Sequence, residues 1–173
     1  MASSFNLYSQ SNSTPSTPPP PDPQNPYLLV GLEPGHDNPL RAHVSCNDLA
    51  LLDDVAHKMQ LEPDSLILIL AGLGKGERGG ARMAMARGYG YRLYLANGEG
   101  QQHIAPDRII VYANAAVTTS SPVFFLPSND SAYKFLVEKY TRMADSFVPE
   151  SKQLSFCGAV SNSKTLSPYS RPR

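Results

Sequence analysis

Residues 74–79, GKGERG, match the pattern G-x-G-x-x-G and carry the chemistry most easily recognised in this sequence. They follow an apolar run that reaches Leu70, and Glu99 lies twenty residues beyond Gly79. Glycines at this spacing let a backbone approach a pyrophosphate, the following helix start favours anions, and an acid at this distance can bind ribose hydroxyls. This pattern predicts a small dinucleotide- or nucleotide-binding α/β module with candidate cofactor residues Gly74, Gly76, Gly79 and Glu99.

Other features of the chain favour a protein without catalytic activity. The loop carries bulky charges where nucleotide sites have small residues, and no second βαβ half follows residue 99. Gly76 stands where an NTPase phosphate loop needs Ser or Thr to hold magnesium. The four histidines show no paired spacing with each other or with cysteine, so we expect no metal site. We therefore expect no enzyme and no cofactor, and keep the nucleotide-binding module as the alternative.

The formal net charge of zero hides a local excess of cations. One stretch holds five of them against the single acid Glu77: Lys75, Arg78, Arg82, Arg87 and Arg92. Arginines and loop amides favour anions, and Tyr89, Tyr91 and Tyr94 suit stacking on unpaired bases. We expect these five cations to contact RNA or anionic lipid, and the protein to self-associate. The alternative is that the arginines only keep a glycine loop soluble.

The apolar residues, 41% of the chain, are concentrated in its middle. Residues 1–26 form a Pro/Ser-rich arm in which Pro18, Pro19, Pro20 and Pro21 favour an extended conformation, suited to a partner-docking peptide or a plain spacer. Residues 151–173 form a Ser-rich basic tail. We expect both ends to be disordered and residues 27–150 to form a single globular domain.

Periodicity within residues 27–150 predicts an α+β fold. Ser45 and Asp48 match a capping box, and apolar residues then follow at helical spacing until Pro63. The aliphatic run at 66–70 predicts a strand buried on both faces. Further expected elements are strands at 27–32, 40–44, 91–96, 108–113 and 122–127, a short helix at 81–87 and a last helix at 129–147. Together they predict a small mixed or antiparallel sheet of about four to six strands packed with two main helices.

The sequence also favours an intracellular, cytoplasmic setting. Cys46 and Cys157 lie far apart, which indicates neither a disulfide framework nor a thiolate metal site. No stretch approaches ~18 consecutive apolar residues, and the N-terminus has no secretory signal pattern.

The order of these features resembles that of rhabdovirus matrix proteins of the plant-infecting type. The resemblance is carried by TPPPPDPQNPY at 17–27, the helix around 49–59 and LILILAGLGKG at 66–76. The chain has PPPPDP in place of a PPxY budding peptide and has no lysine-rich N-terminus. The resemblance implies a non-enzymatic structural protein of the virion that self-associates and bridges a nucleocapsid (RNA with protein) to a membrane.

Overall fold

The computed structural model describes residues 27–34, 39–97, 103–126 and 141–158. The helices and strands are, in chain order, β1 (Leu28–Leu32), β2 (Ala42–Val44), α1 (Cys46–Leu61), β3 (Leu66–Leu73), α2 (Gly80–Asn97), β4 (Ile109–Val117), β5 (Ser121–Leu126), β6 (Thr141–Arg142) and β7 (Leu154–Phe156). Five of the strands form one mixed sheet in the order β1-β5-β3-β4-β6, while β2 and β7 pair separately. The fold is therefore α+β, as the sequence predicts.

Helix α1 forms as its sequence predicts. The Ser45 hydroxyl accepts a hydrogen bond from the Asp48 amide at 3.0 Å, and the Asp48 carboxylate accepts one from the Ser45 amide at 3.3 Å. This capping box satisfies amides that the first turn leaves without partners. The predicted apolar stripe of the helix is buried: Leu52, Val55, Ala56 and Met59.

Strand β3 is the centre of the main sheet, and nearly all of its residues are buried. It pairs in parallel with β4 on one side and antiparallel with β5 on the other. Because β4 and β5 lie on opposite sides of β3, residues 118–120 cross over its carboxyl end. The Thr118 amide donates to the Leu73 carbonyl at 2.9 Å in this crossing.

The region after the glycine loop differs from the prediction of a short helix followed by a strand at 91–96. A single helix, α2, runs from Gly80 to Asn97. The alternating tyrosines and leucines suggested a strand, but the buried residues Ala84, Arg87, Tyr91 and Leu95 follow a helical spacing of three or four. Strands β3 and β4 with α2 between them thus form a parallel βαβ unit.

The core lies mainly between the sheet and the two helices. Side chains from α1 and α2 join the inward residues of β3, β4 and β5 in one apolar cluster. The opposite face of the sheet carries a second buried cluster that includes Leu68, Tyr112 and Phe124. Helix α2 lies very close to the sheet at Gly88, where an added Cβ would be 2.3 Å from Val111 Cγ1 and 3.1 Å from Ala71 Cβ.

Two predictions for the C-terminal part need correction. The helix expected at 129–147 falls largely outside the described residues, and its end is not helical, since Thr141–Arg142 forms β6 on the edge of β4. The disorder expected from residue 151 does not hold for residues 151–158. Residues 151–153 form a 3-10 turn and β7 pairs in parallel with β2, because Leu154 and Phe156 supply apolar side chains within a Ser-rich segment.

Gly88→Ala is expected to destabilise the protein by about 1–2 kcal/mol. Overpacking against the β-branched Val111 costs up to about 3 kcal/mol, which the gain in helix propensity of about 1 kcal/mol only partly offsets. Urea unfolding followed by circular dichroism would measure the change. The exposed Asn97→Ala, at the end of the same helix, should shift the free energy of unfolding by no more than about 0.5 kcal/mol. Equal stability of the Gly88 variant and the wild type would contradict the close packing.

Candidate functional site

The loop after β3 is held from inside by a buried ion pair. Glu77 and Arg87 form a salt bridge in which both side chains are almost fully buried. The second oxygen of Glu77 accepts a hydrogen bond from the Gly74 amide at 2.7 Å, and Arg87 Nη1 donates to the Gly72 carbonyl. The pair therefore ties the loop, the end of β3 and the second turn of α2 together.

This arrangement leaves little room for the predicted nucleotide site. The Gly74 amide, which would face a phosphate, already donates to the protein's own carboxylate. Glu99 lies outside the described residues, but α2 continues to Asn97, and an 18-residue helix is about 27 Å long. The end of that helix cannot meet the glycines at its start. A pocket lined by Gly79, Arg82 and Met83 has a volume of about 50 Å³, well below the roughly 300 Å³ or more of ordinary ligand sites.

A second group of buried polar side chains lies next to this ion pair. The Asp48 carboxylate accepts hydrogen bonds from the Glu33 amide at 2.8 Å and from the Tyr91 hydroxyl at 3.4 Å. The Ser121 hydroxyl accepts from the Gly72 amide at 2.9 Å. Asp48, Tyr91 and Ser121 are fully buried. These bonds join the start of α1, the middle of α2 and the start of β5 at the carboxyl end of β3.

Burial controls the protonation of this group. Desolvation raises the pKa of Asp48 above its ordinary value of 3.8, although hydrogen bonds from Glu33, Ser45 and Tyr91 oppose the rise. Desolvation, together with the nearby Asp48 charge, also raises the pKa of Tyr91 far above its ordinary value, so the phenol stays protonated. A protonated donor and an enclosed acceptor without solvent access suit structural support better than proton transfer to a substrate.

Around the buried pair lies a group of charged surface residues, here called the cationic surface. It consists of five exposed cations, Arg41, Lys75, Arg78, Arg82 and Lys152, with Glu150 among them. Glu150 bonds Arg82 at 3.3 Å and Lys152 at 3.0 Å, and Arg41 Nε donates to the Lys152 carbonyl at 2.8 Å. The Arg78 amide donates to the Pro39 carbonyl, beside Leu40, which is 67% exposed. The neighbouring cations Lys152 and Arg82 lower the pKa of the Glu150 carboxyl.

The structure divides the five predicted contact residues into two sets. Lys75, Arg78 and Arg82 lie on the cationic surface. Arg87 is buried in its pair with Glu77, and Arg92 is mostly buried, bonded to Asp145 and to the Pro106 carbonyl. Neither of these two is free to meet a partner. The arm residues Pro18, Pro19, Pro20 and Pro21 lie outside the described residues.

Sequence reasoning missed the residues that complete the site. Glu77 was visible as the single acid of a cationic stretch, a signal for an internal partner. Tertiary contacts alone bring the remaining members of the cationic surface, Arg41, Glu150 and Lys152, next to the glycine loop. No local sequence pattern could therefore indicate them.

The two cysteines form a disulfide, contrary to the expectation from their separation in sequence. Cys46 and Cys157 are bonded with their Cα atoms 5.1 Å apart. Pairing of β7 with β2 brings Cys157 to the start of α1, because the Cys157 amide donates to the Val44 carbonyl at 2.8 Å. The prediction of a cytoplasmic setting rested in part on the cysteines being unpaired, and the disulfide removes that argument.

Two kinds of feature are absent from the described residues. No helix in these parts of the chain has the length and apolar character needed to cross a bilayer. The same residues contain no group of three or more His, Cys, Asp or Glu side chains placed to hold a metal ion.

Glu77→Gln is expected to lower the free energy of unfolding by about 3–5 kcal/mol, since it leaves the Arg87 charge buried without a counter-charge. The matched control is Glu150→Gln, which breaks the exposed pair with Arg82 and should cost no more than about 1 kcal/mol. Denaturant unfolding of both variants measures the difference. Similar losses in the two would contradict a structural role for the buried pair.

Asp48→Asn should change how stability depends on pH. Since burial raises the pKa of Asp48, this group contributes stability in full below its unfolded value of 3.8 and loses it as the pH rises through the folded value. The stability of the wild type relative to the variant should therefore fall as the pH rises through that window. Urea unfolding across acid pH measures this, and Asn47→Ala, in the same turn, should keep the wild-type profile. A constant difference between wild type and Asp48→Asn would contradict the raised pKa.

The chain matches no known family model and no curated protein sequence. The resemblance to rhabdovirus matrix proteins therefore stays a prediction.

Proposed function

We propose that this chain is a non-catalytic assembly protein in which the cationic surface of one copy contacts the acidic side of α1 in the next. The single observation that carries the proposal is the separation of exposed charge between two ends of the domain. Exposed cations lie around the carboxyl end of β3, with the exposed Glu33 and Glu150 among them, and acids follow the outer side of α1 towards the other end.

The acidic side of α1 consists of four exposed carboxylates, Asp53 and Asp54 on the helix and Glu62 and Asp64 just beyond its end. Lys58 lies among them, but it is bonded to Glu62 at 3.2 Å and placed 4.6 Å from the centre of the Phe125 ring. Asp53 accepts a hydrogen bond from the Tyr94 hydroxyl at 2.8 Å, which orients one carboxylate on the helix. The side therefore keeps an excess of negative charge.

The positions of these two surfaces determine what kind of assembly they allow. The Glu62 carbonyl accepts from Arg108, which also donates to the Ser65 carbonyl at the amino end of β3. The glycine loop lies at the other end of that strand, and eight residues span about 26 Å. Two different patches this far apart can pair reciprocally about a two-fold axis, each meeting the other patch of the partner copy, or can pair head to tail and generate closed rings or open filaments.

The cationic surface would also suit other anionic partners. Its exposed guanidinium groups and the open area around Leu40 match a surface that carries phosphate or carboxylate groups. Bridging of a nucleocapsid and a membrane stays a prediction from the family resemblance. Self-association is favoured here because the complementary acidic surface belongs to the same chain.

Charge reversal should test the contact directly. Arg78→Glu/Arg82→Glu and Asp53→Arg/Asp54→Arg should each weaken self-association at least tenfold, because like charges then face each other. An equimolar mixture of the two double variants should assemble again, since each reversed surface then meets its reversed partner. Sedimentation velocity at low and high salt measures the association, which should weaken as salt screens exposed charges.

Arg142→Glu, an exposed cation outside the cationic surface, is the matched control and should assemble like the wild type. Assembly of either double variant alone, or failure of the mixture, would contradict the proposed contact. A rise of several degrees in melting temperature with NAD, FAD or ATP would instead favour the nucleotide-binding alternative, because binding at a hundred times Kd stabilises by ~2.7 kcal/mol.

A further inference from the structure

The segment at 150–158, here called the strap, is attached to the rest of the described chain mainly through residues 41–46. Strand β7 pairs with β2 over three residues, and His43 Nδ1 lies 3.1 Å from the Ser155 hydroxyl. Leu154 packs directly on α2, where a Cβ added at Gly90 would lie 2.8 Å from Leu154 Cδ1. The strap thus fills a groove between β2 and α2.

The noncovalent contacts of the strap are mainly with β2 and α2, where the half-buried Leu154 and Phe156 pack against the apolar core. A two-stranded pair of three residues is marginal without further support, and parallel pairing is slightly the weaker kind. Leu154, Ser155 and Phe156 are each only partly buried. The disulfide joins Cys157 in the strap to Cys46 at the start of α1, so it keeps the strap beside β2 even when the short strand pairing opens. The covalent bond therefore supplies much of what holds the strap in place.

The disulfide is also placed where a thiol can reach it. Cys46 is the first residue of α1 and is exposed, and Cys157 is half-buried. The amides of a helix start stabilise a thiolate, which makes Cys46 the better leaving group when the bond is attacked.

We infer that the Cys46–Cys157 disulfide is a redox modification site whose reduction by a dithiol releases the strap while the domain stays folded. A thiolate of the dithiol attacks Cys157 Sγ, the bond between the cysteines breaks, and Cys46 leaves as a thiolate that takes up a proton. The second thiol of the reductant then attacks its own sulfur in the mixed disulfide, which frees Cys157 as a thiol. Two electrons and two protons pass to the protein, and the reductant becomes a disulfide.

Release of the strap would change the cationic surface. Glu150, the one acid described within it, and Lys152 both belong to the strap. Reduction would free Arg82 from Glu150 and Arg41 from the Lys152 carbonyl, leaving a smaller surface with no acid of its own. A reduced protein would therefore present a different surface to its next copy, a consequence that rests on the proposed function.

Hydrogen exchange measured by mass spectrometry on the full chain, before and after dithiothreitol, tests strap release independently of assembly. Amides of 150–158 and 42–44 should exchange at least tenfold faster after reduction, while those of β3 and the middle of α2 keep their protection. The variant Cys46→Ser/Cys157→Ser should show the fast exchange without reductant and no response to it. Sedimentation of the same samples then reports whether assembly changes with the strap.

Three results would overturn the inference. Free thiols at Cys46 and Cys157 in protein purified without reductant would show that the bond does not form. Unchanged protection of the strap after complete reduction would show that its other contacts suffice. Loss of protection throughout β3 and α2 would show that the disulfide holds the whole fold. If the strap is released but assembly is unaffected, the redox site stands and only its link to the cationic surface is lost.

Discussion

The buried pair of Glu77 and Arg87 is the interaction on which the rest of the site depends. Removing two charges from water costs several kcal/mol per ion, and only good geometry with further hydrogen bonds offsets that cost. Here the Gly72 carbonyl and the Gly74 amide supply such bonds, and both belong to the strand end that the pair encloses. Arg87 Nε is left without a partner. The electrostatic stability of the pair is therefore inseparable from the backbone path of the loop.

The same pair separates cations that support the fold from cations that face outwards. Glu77 and Arg78 are adjacent, yet one side chain is buried and the other residue is exposed. Gly76 and Gly79 have positive φ angles of 85° and 112°, which glycine adopts readily. The chain can therefore change direction just before and just after Glu77 and Arg78. Because Glu77 neutralises Arg87 inside, the charges of Lys75 and Arg78 stay on the surface without a counter-charge in the loop.

Much of the fold could be predicted from local patterns, and the errors have physical causes. The capping box at Ser45 and the aliphatic run of β3 are local signals, and both predictions were confirmed. Helix α2 was cut short because Gly88 looked like a helix breaker, whereas its missing side chain allows close packing on Val111. An arginine within the buried stripe of α2 further concealed the helical period, since its partner Glu77 lies ten residues away.

The candidate site was harder to predict because it is made by contacts between distant residues. The five cations in and after the glycine loop were visible in the sequence, but two of them, Arg87 and Arg92, form ion pairs within the domain. The other two cations of the cationic surface, Arg41 and Lys152, come from distant parts of the chain. The disulfide that brings those two segments together spans 111 residues, a separation at which sequence carries no pairing signal. The charge of the cationic surface therefore depends on whether the strap is docked as much as on the glycine loop. A surface assembled from two separately attached segments can change when one of them is released, because the strap packs against the core through side chains that are only half-buried, Leu154 and Phe156.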